Sequence, residues 1–447
     1  MPRDILENVW NRYRKAAEIL KLEDWLIDEL TSFKNRYSVD IEATVGGKKQ
    51  RLKAVRVWHR AALTGHPFKG GNRYWPGITL GALESHAAEM SIKCWMHELP
   101  YGGAKGGIDV DANRCSPTEL FQITEKLVDE LNERKAIGPF IDVPAPDMGT
   151  NATIMFWMSQ RYAYLHRGEP YSLGVVTGKP VDRKNRINRY LGGIPGRKEA
   201  TGYGLWAALD VFRKKYAGMP KLGDQPTVAV QGFGNVGSHI AYYLWKEGCK
   251  ITEVIDEFGG IGSRAGLDIP KLIEYVNTQK PRTVKDFPQA EYHFTTPIAN
   301  INCDIFVPAA TEEVITEENA GQIQAKIILE GANGPTTPGA DKILEDRGIV
   351  VIPDVYANSG GVTVSFFEWG RNTDNMADDR IPRKPTSELV LKSLDSMMRE
   401  AGEAIITCGE QHKIPLRTAA YVLALGKVSD LIHARRNAEG AVEMFKG

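Results

Sequence analysis

The chain has 447 residues with 56 basic and 56 acidic side chains, so its formal net charge is zero. Its length favours two or three domains, and its 42% hydrophobic and 25% charged residues exclude a disordered or fibrous chain. Zero net charge removes the basic surface typical of nucleic-acid or membrane-surface binding, so we expect neither partner. Glycine is in excess at 44 residues, which favours backbone that a ligand approaches closely.

The cysteine pattern indicates a reducing compartment. Five cysteines are scattered along the chain without a CxxC pair, which argues against a disulfide framework and against a metal site. The first ten positions include the charged residues Arg3, Asp4 and Glu7, where a signal peptide would be apolar. No uncharged apolar run approaches the roughly 18 residues that cross a bilayer. We therefore expect a soluble, cytoplasmic protein.

The first half of the chain mixes helices with short strands. An apolar stripe at three- and four-residue steps predicts a helix over residues 1–35, and β-branched runs predict strands between 38 and 63. Helices are predicted at 80–96 and at 117–135. Residues 168–200 read as a long loop.

That loop contains a basic segment, Asp182 to Arg189. A solvated surface loop is the favoured interpretation, and an anion or partner site is the alternative.

After Gly202 the pattern changes to alternating helices and strands, which predicts a doubly wound parallel sheet. Helices are expected at 201–217 and 236–247, a helical tail at 385–445, and strands at 227–231, 251–256, 305–307, 327–329 and 350–352.

A glycine fingerprint follows the first of these strands. Gly232 allows a tight turn, Gly234 lets the backbone approach a pyrophosphate, and Gly237 lets the helix pack on the strand. The helix N-terminus would offer free N–H groups to the phosphates. Asp256 ends the next strand, 24 residues after Gly232, where an acidic residue that binds the ribose is expected. The pattern predicts a dinucleotide site, with a structural glycine turn as the alternative.

The identity of the dinucleotide is less constrained. Asp256 and Glu257 would repel a 2′-phosphate, and the nearest cation that could bind one is Arg264. NAD is therefore favoured, and NADP remains possible.

Three lysines lie in unusual settings: Lys69 in PFKGGNRYW, Lys93 in SIKCW and Lys105 in PYGGAKGG. Four glycines enclose Lys105, and they would leave room for a small substrate to reach an ammonium readied for acid–base work. No GxxxxGK[ST] pattern occurs, so this is not a phosphate-binding loop. Asp147, in the Pro-rich segment DVPAPDMGT, is the complementary group. Its alternative role is a turn or helix cap.

Seven ordered motifs carry a family resemblance. They are PFKGGNRYW, PYGGAKGG, VPAPDMGTN, GRKEATGYG, GFGNVG, GANGPTTPGAD and VYANSGGVTVSFFEW. Together they resemble the amino-acid dehydrogenases of the glutamate/leucine/phenylalanine/valine group, over roughly residues 35–445. The resemblance implies an α/β fold of two domains. A substrate and oligomerisation domain would comprise 1–195 and the C-terminal helices 360–447, and a Rossmann-type dinucleotide-binding domain would comprise 196–359.

The resemblance also implies roles at the substrate. Lys69 matches the lysine with which the glutamate-specific members hold the side-chain carboxylate. Lys93 would hold the α-carboxylate, Lys105 would be the catalytic lysine, and Asp147 would exchange protons with the amino nitrogen. Four further matching positions would contact the substrate: Ala145, Val362, Asn358 and Ser365. Of these, Ser365 would assist Lys69, and Asn358 would lie near the substrate amine.

The remaining matches concern the cofactor. They are Arg197, Thr201, Gly232, Phe233, Gly234, Asn235, Val236, Gly237, Asp256, Ala309 and Asn333, the last of these near the nicotinamide ribose.

The activity implied by the resemblance is reversible oxidative deamination of L-glutamate to 2-oxoglutarate and ammonia, in a homohexamer. Two alternatives stay open: a dehydrogenase of another amino acid, and a catalytically silent relative that binds nucleotide. The basic segment near 181–190 is an insertion relative to the group and could form a subunit contact or a regulatory site.

Overall fold

The computed structural model describes residues 5–61, 63, 65–182, 191–295 and 302–444. The basic segment from Arg183 to Arg189 lies outside the described residues. The chain forms two compact units. The first unit comprises Met1–Arg197, Val362–Ser393 and Tyr421–Gly447, and the second unit comprises Lys198–Gly361 and Leu394–Ala420. The sequence placed all of 360–447 in the first domain, whereas residues 394–420 group with the second unit.

The first unit is built on a five-stranded sheet with the order β1-β2-β4-β3-β5. Its strands are β1 (Asn35–Val45), β2 (Lys48–Trp58), β3 (Phe68–Tyr74), β4 (Gly102–Ile108) and β5 (Asp142–Pro146). Its helices are α1 (Ile5–Leu20), α2 (Asp24–Leu30), α3 (Leu80–Met96), α4 (Pro117–Glu133), α5 (Ala152–Leu165) and most of α11 (Gly360–Asn372).

The two faces of this sheet carry different layers. Residues of α4 and α5 pack on one face around Trp58, Phe68 and Ala104. Helix α3 packs on the opposite face, where Leu83 and Ala87 contact Val57. Side chains alternate between the faces along each strand, so every second residue of β3, β4 and β5 is directed towards α3.

Three elements differ from the sequence prediction. The predicted helix over 1–35 is two helices, α1 and α2, because Lys21 takes a left-handed conformation with φ of 53°. The glycine-rich segment Gly102–Ile108 is a fully buried strand. The Pro-rich segment Asp142–Pro146 is also a strand. It lies at the edge of the sheet, where a residue without a backbone N–H costs no ladder hydrogen bond.

The second unit is built on a seven-stranded sheet with the order β12-β11-β10-β6-β7-β8-β9. Its strands are β6 (Thr227–Gln231), β7 (Lys250–Asp256), β8 (Gly259–Gly262), β9 (Tyr292–Phe294), β10 (Ile305–Pro308), β11 (Ile327–Leu329) and β12 (Val350–Ile352). Its helices are α6 (Ala200–Lys215), α7 (Asn235–Lys246), α8 (Ile269–Thr278), α9 (Pro338–Asp346) and α10 (Asp354–Ala357).

Parallel pairing holds from β12 to β7, as the sequence predicted for a Rossmann-type unit. Strands β8 and β9 are antiparallel, which the sequence did not predict. Asp256 pairs with Gly259, so only two residues connect β7 to β8. A connection that short joins antiparallel strands only, since a parallel crossover needs a dozen or more residues.

Two long helices end the chain, α12 (Ser387–His412) and α13 (Leu416–Met444). Each contributes residues to both units, because the division falls at 393/394 in α12 and at 420/421 in α13. Within the described part of the chain, no helix is both long and apolar enough to cross a membrane.

Candidate active site

A buried lysine–aspartate pair forms the centre of the first unit's candidate site. Lys105, on β4, donates from Nζ to Oδ2 of Asp147 at 2.5 Å. Arg73, on β3, donates from Nε to Oδ1 at 2.8 Å, as does the backbone N–H of Met148. Burial alone would raise the pKa of Asp147, but the charges and hydrogen bonds of Lys105 and Arg73 hold it well below its ordinary value. The carboxylate is therefore ionised in this arrangement.

The strand register explains why these side chains meet. Lys69 pairs with Gly103 in parallel register, so Lys105, two residues further on, shares its face of the sheet. Gly71 pairs with Ala145, and Asp147 follows Ala145 by two residues. This register therefore places all three charged groups on the α3 side of the sheet.

The glycines around Lys105 make close packing possible. A Cβ at Gly103 would lie 2.0 Å from the carbonyl oxygen of Ala87 on α3. A Cβ at Gly71 would lie 2.3 Å from Oδ2 of Asp147. These glycines let neighbouring backbone and the Asp147 carboxylate approach the strands, instead of leaving the open space that the sequence suggested.

Lys69 is a buried ammonium without a partner in the described residues. It is 1% exposed, and its Nζ takes part in no hydrogen bond or ion pair within that part of the chain. Burial, followed by the charges of Arg197 and Arg56, lowers the pKa of Lys69 to about 7. An unpaired buried cation is costly, so this position is built to receive an anion.

Arg197 and Ser365 lie beside that ammonium. Nε of Arg197 donates to Oγ of Ser365 on α11 at 3.1 Å, and the guanidinium repels Lys69. The resemblance assigned Arg197 to the cofactor. In the structure it donates to Ser365 in the first unit, and its contact with the cofactor stays a prediction. Val362 is buried one turn earlier on α11. Two cations and a hydroxyl thus surround one position, an arrangement suited to a carboxylate.

Lys93 brings a third cation to the same side of the sheet. It is buried on α3. Lys69 and Lys93 both lower the pKa of the Cys94 thiol, although burial outweighs them and the pKa is raised to about 12. Both lysines therefore lie close to Cys94. Ala145 is buried on β5 opposite Gly71.

The second unit carries a cradle for a dinucleotide. Gly232 has φ of +86°, and a Cβ at Gly237 would lie 1.8 Å from the carbonyl oxygen of Gly232. Gly234 is the N-cap residue of α7, where it has no side chain to occupy the helix N–H groups. A Cβ at this position would meet no atom within 4 Å. A tight turn, open space and free helix N–H groups fit a pyrophosphate.

The other fingerprint positions surround this turn. Phe233 is buried and Val236 is half-buried in the first turn of α7. Nδ2 of Asn235 donates to the carbonyl oxygen of Lys198 at 2.9 Å. The backbone of Ala309 lies 2.8 Å from where a Cβ of Gly232 would be. Thr201 lies in the first turn of α6.

Asp256 has a structural role at the β7–β8 turn. Its Oδ1 accepts from the N–H of Phe258 at 2.8 Å, and its Oδ2 accepts from the N–H of Val284 at 2.7 Å. A carboxylate oxygen has a second acceptor site, so both oxygens can also bind a ribose hydroxyl. The ribose contact stays a prediction.

Asn333 and Asn358, the two asparagines that the resemblance singled out, are hydrogen-bonded to each other. Nδ2 of Asn358 donates to Oδ1 of Asn333 at 3.0 Å, and to the carbonyl oxygens of Gly331 and Ala332 at 3.3 and 3.1 Å. This amide therefore fixes the loop that follows β11.

Two arginines of the first unit, Arg73 and Arg56, were not predicted from the sequence. Arg73 occupies the third position, after Lys69 and Gly71, on the functional face of β3, a spacing that could have revealed it. Arg56 lies on the reverse face and gives no such signal. It binds Asp142 with two 2.6 Å bonds and donates to the carbonyl oxygens of Gly70 and Gly71.

Among the described residues, no three His, Cys, Asp or Glu side chains form a group that could hold a metal.

A carboxylate-binding site with a lysine–aspartate pair in one unit, and a Rossmann-type dinucleotide cradle in the other, define a nicotinamide-dependent oxidoreductase of a small acid. Family models agree. "Glutamate/Leucine/Phenylalanine/Valine dehydrogenase" matches residues 192–436, and the "dimerisation domain" of the same group matches residues 34–164. The chain belongs to the Glu/Leu/Phe/Val dehydrogenase family.

Relatives match along almost the whole chain. A glutamate dehydrogenase of Thermotoga maritima is 38% identical, covering 96% of this chain and 97% of the relative. An NADP-specific glutamate dehydrogenase of Synechocystis is 34% identical, covering 97% and 98%. The solved structure of a hetero-hexameric glutamate dehydrogenase from Thermus thermophilus is similar, with a TM-score of 0.84, 28% identity and coverage of 97% and 98%.

Proposed function

We propose that this chain catalyses the reversible oxidative deamination of L-glutamate to 2-oxoglutarate and ammonia, with NAD or NADP. The observation that carries the choice of substrate is the buried ammonium of Lys69 beside Arg197 and Ser365. A five-carbon dicarboxylate supplies the anion that this position needs. An apolar amino-acid side chain would leave the charge unpaired.

Binding orients the substrate. Lys69, Arg197 and Ser365 would hold the side-chain carboxylate, and Lys93 the α-carboxylate. Two ion pairs at opposite ends of the molecule fix its α-carbon, which lowers the entropic part of the barrier. Ala145 and Val362 would line the apolar stretch between them.

The proton steps fall to Lys105 and Asp147. Asp147 is ionised and can take a proton from the substrate ammonium. A bound nicotinamide would supply the acceptor for the hydride that leaves the α-carbon. Lys105 would then orient a water for attack on the iminium carbon and stabilise charge on its oxygen. Asp147, having passed its first proton to solvent, would carry one proton of that water to the amino nitrogen; ammonia then leaves and the remaining hydroxyl proton goes to solvent as the keto group forms.

The nucleotide would be held by the second unit. Gly232, Phe233, Gly234, Asn235, Val236 and Gly237 form the cradle, with Thr201, Asp256, Ala309 and Asn333 as further contacts. The sequence favours NAD, and the Synechocystis relative is NADP-specific, so rates with both decide the preference.

The test is absorbance at 340 nm with glutamate and either cofactor. Lys105→Ala should lower kcat by about 10²- to 10⁴-fold with cofactor binding intact. Lys69→Leu should lose activity on glutamate far more than on leucine, because it removes only the side-chain-carboxylate contact. Equal loss on both substrates would contradict the role of Lys69. Nucleotide binding without turnover of any amino acid would instead support a silent relative.

We also propose a homohexamer in the cytoplasm. The dimerisation-domain match and the hexameric Thermus relative support assembly. The five unpaired cysteines suit a reducing compartment. Light scattering should give the mass of six chains, and a mass of two would contradict this state.

A further inference from the structure

We propose that Arg417 is a positioning residue for the nicotinamide-side loop, defined as residues 330–334, and for Asn358. The proposal rests on the proposed function, in which Asn333 contacts the cofactor and Asn358, as the resemblance implies, lies near the substrate amine. Arg417 lies in the first turn of α13, in the segment 394–420 that joins the second unit. It belongs to none of the seven sequence motifs.

The guanidinium of Arg417 binds three carboxylates. Nε and Nη2 donate to Asp341 at 2.7 and 2.8 Å. Nη1 and Nη2 donate to Glu330 at 2.8 and 2.7 Å. Nη1 also donates to Asp354 at 3.0 Å. These five bonds match the five N–H groups of an arginine, so the fork is fully used.

The network continues from the carboxylates into the loop. Oε2 of Glu330 accepts from the backbone N–H of Asp354 at 2.8 Å. Oδ2 of Asp354 accepts from the backbone N–H of Gly334 at 2.9 Å. Glu330 begins the loop and Gly334 ends it. Arg417 therefore fixes both ends of the loop through two carboxylates.

Asn358 fixes the middle of the same loop. Its amide binds Gly331, Ala332 and Asn333. Asn358 follows α10, and Asp354, held by Arg417, begins that helix. Loop and asparagine thus depend on one cation at the start of α13.

Burial makes this dependence strong. Glu330 and Asp354 are fully buried, and burial raises the pKa of Glu330 against the effect of Arg417. Without the arginine, two buried carboxylates would face each other without a cation, and the loop would shift or open to relieve them. A displacement of about 1 Å at the reacting centre can cost about 10²-fold in rate.

The test compares Arg417→Gln with a matched control, Arg399→Gln. Arg399 also binds two carboxylates of the second unit, Asp210 and Asp395, but makes no bond to the loop or to α10. With α-deuterated glutamate, Arg417→Gln should lower kcat at least tenfold and raise the deuterium isotope effect on kcat, because misplacement slows hydride transfer. Arg399→Gln should change both by less than twofold. Unchanged kcat and isotope effect in Arg417→Gln would overturn the proposal.

A second variant covers a failure to fold. Arg417→Lys keeps the charge but loses the fork, so we expect a smaller fall in kcat with the same rise in isotope effect. If Arg417→Gln does not fold, wild-type values in Arg417→Lys overturn the proposal.

Hydrogen exchange separates this proposal from the proposed function. Amides of 330–334 and 354–358 should exchange at least tenfold faster in Arg417→Lys than in wild type, and at the wild-type rate in Arg399→Gln. Equal rates in all three proteins would overturn the positioning role. A wild-type chain that turns over no glutamate, yet shows this pattern, would contradict only the proposed function.

Discussion

At the scale of single residues, we expect the lowered pKa of Lys69 to set the pH range of substrate binding. The free ammonium titrates near pH 7, whereas a bound carboxylate would favour its charged form. Lys69 is mostly charged below pH 7 and can pair with a carboxylate without first taking up a proton. Above pH 7 a growing fraction is neutral and must take up a proton before it can bind the substrate.

We therefore expect KM for glutamate to be flat below pH 7 and to rise about tenfold per pH unit above it. Steady-state kinetics between pH 6 and 9 would measure this slope. The matched control is Lys69→Arg, whose guanidinium stays charged throughout and should remove the slope. The same slope in both proteins would show that another group causes it.

The sequence predicted the candidate site residues more fully than it predicted which side chains they contact. Lys69, Lys105 and Asp147 could be picked out because glycines and prolines flank them, and the strand register then brings them to one face. Arg197 lies beside Ser365, 168 positions along the chain, and no local pattern reports such a contact. Whether each residue acts as the resemblance implies stays a prediction.

At the scale of elements, three strands of the first unit form the platform for the site. Strands β3, β4 and β5 carry Lys69, Lys105 and the approach to Asp147. On the reverse face, Arg56 joins β3 to β5 by binding Asp142 and the carbonyl oxygens of Gly70 and Gly71. The Arg56–Asp142 pair is almost fully buried. Such a pair is costly to break, because one partner then stays buried as an unpaired charge.

We expect Arg56→Met to lower the free energy of unfolding by about 3 to 5 kcal/mol. The double variant with Asp142→Asn should recover part of that loss, because it removes the unpaired carboxylate. Urea unfolding followed by circular dichroism would measure both. Arg51→Ala is the control: its ion pair with Asp40 is exposed and should contribute less than about 1 kcal/mol. Equal losses in Arg51→Ala and Arg56→Met would contradict the argument.

Elements with strong periodicity or clear caps were predictable. Helix α3 occupies the predicted range 80–96, and α4 begins at the predicted Pro117 with a capping box from Ser116. Strand β4 was missed because its glycines are usually depleted in strands. Here packing against α3 decides the conformation, a tertiary effect that composition does not show.

At the scale of the whole molecule, the fold class could be predicted and the path of the C-terminal helices could not. The α/β class and the Rossmann-type unit are confirmed by the structure and the family matches. Residues 394–420 carry no motif, and an apolar helix face does not say which core it packs on. Their place in the second unit depends on contacts such as those of Arg417 and Arg399.

Two units with their own sheets should respond separately to the two ligands. NADH at 100 times its Kd should stabilise the folded form of the unit that binds it by about 2.7 kcal/mol. We expect slower hydrogen exchange in 232–237 and 330–334 of the second unit, without a matching change in β1 and β2. 2-Oxoglutarate alone should instead slow exchange in 68–74 of the first unit.

Gly237→Ala provides the control for NADH, since its Cβ would lie 1.8 Å from the carbonyl oxygen of Gly232 and should displace the cradle. This variant should lose the protection by NADH and keep the protection by 2-oxoglutarate. NADH protection that persists in Gly237→Ala would place the nucleotide away from the fingerprint.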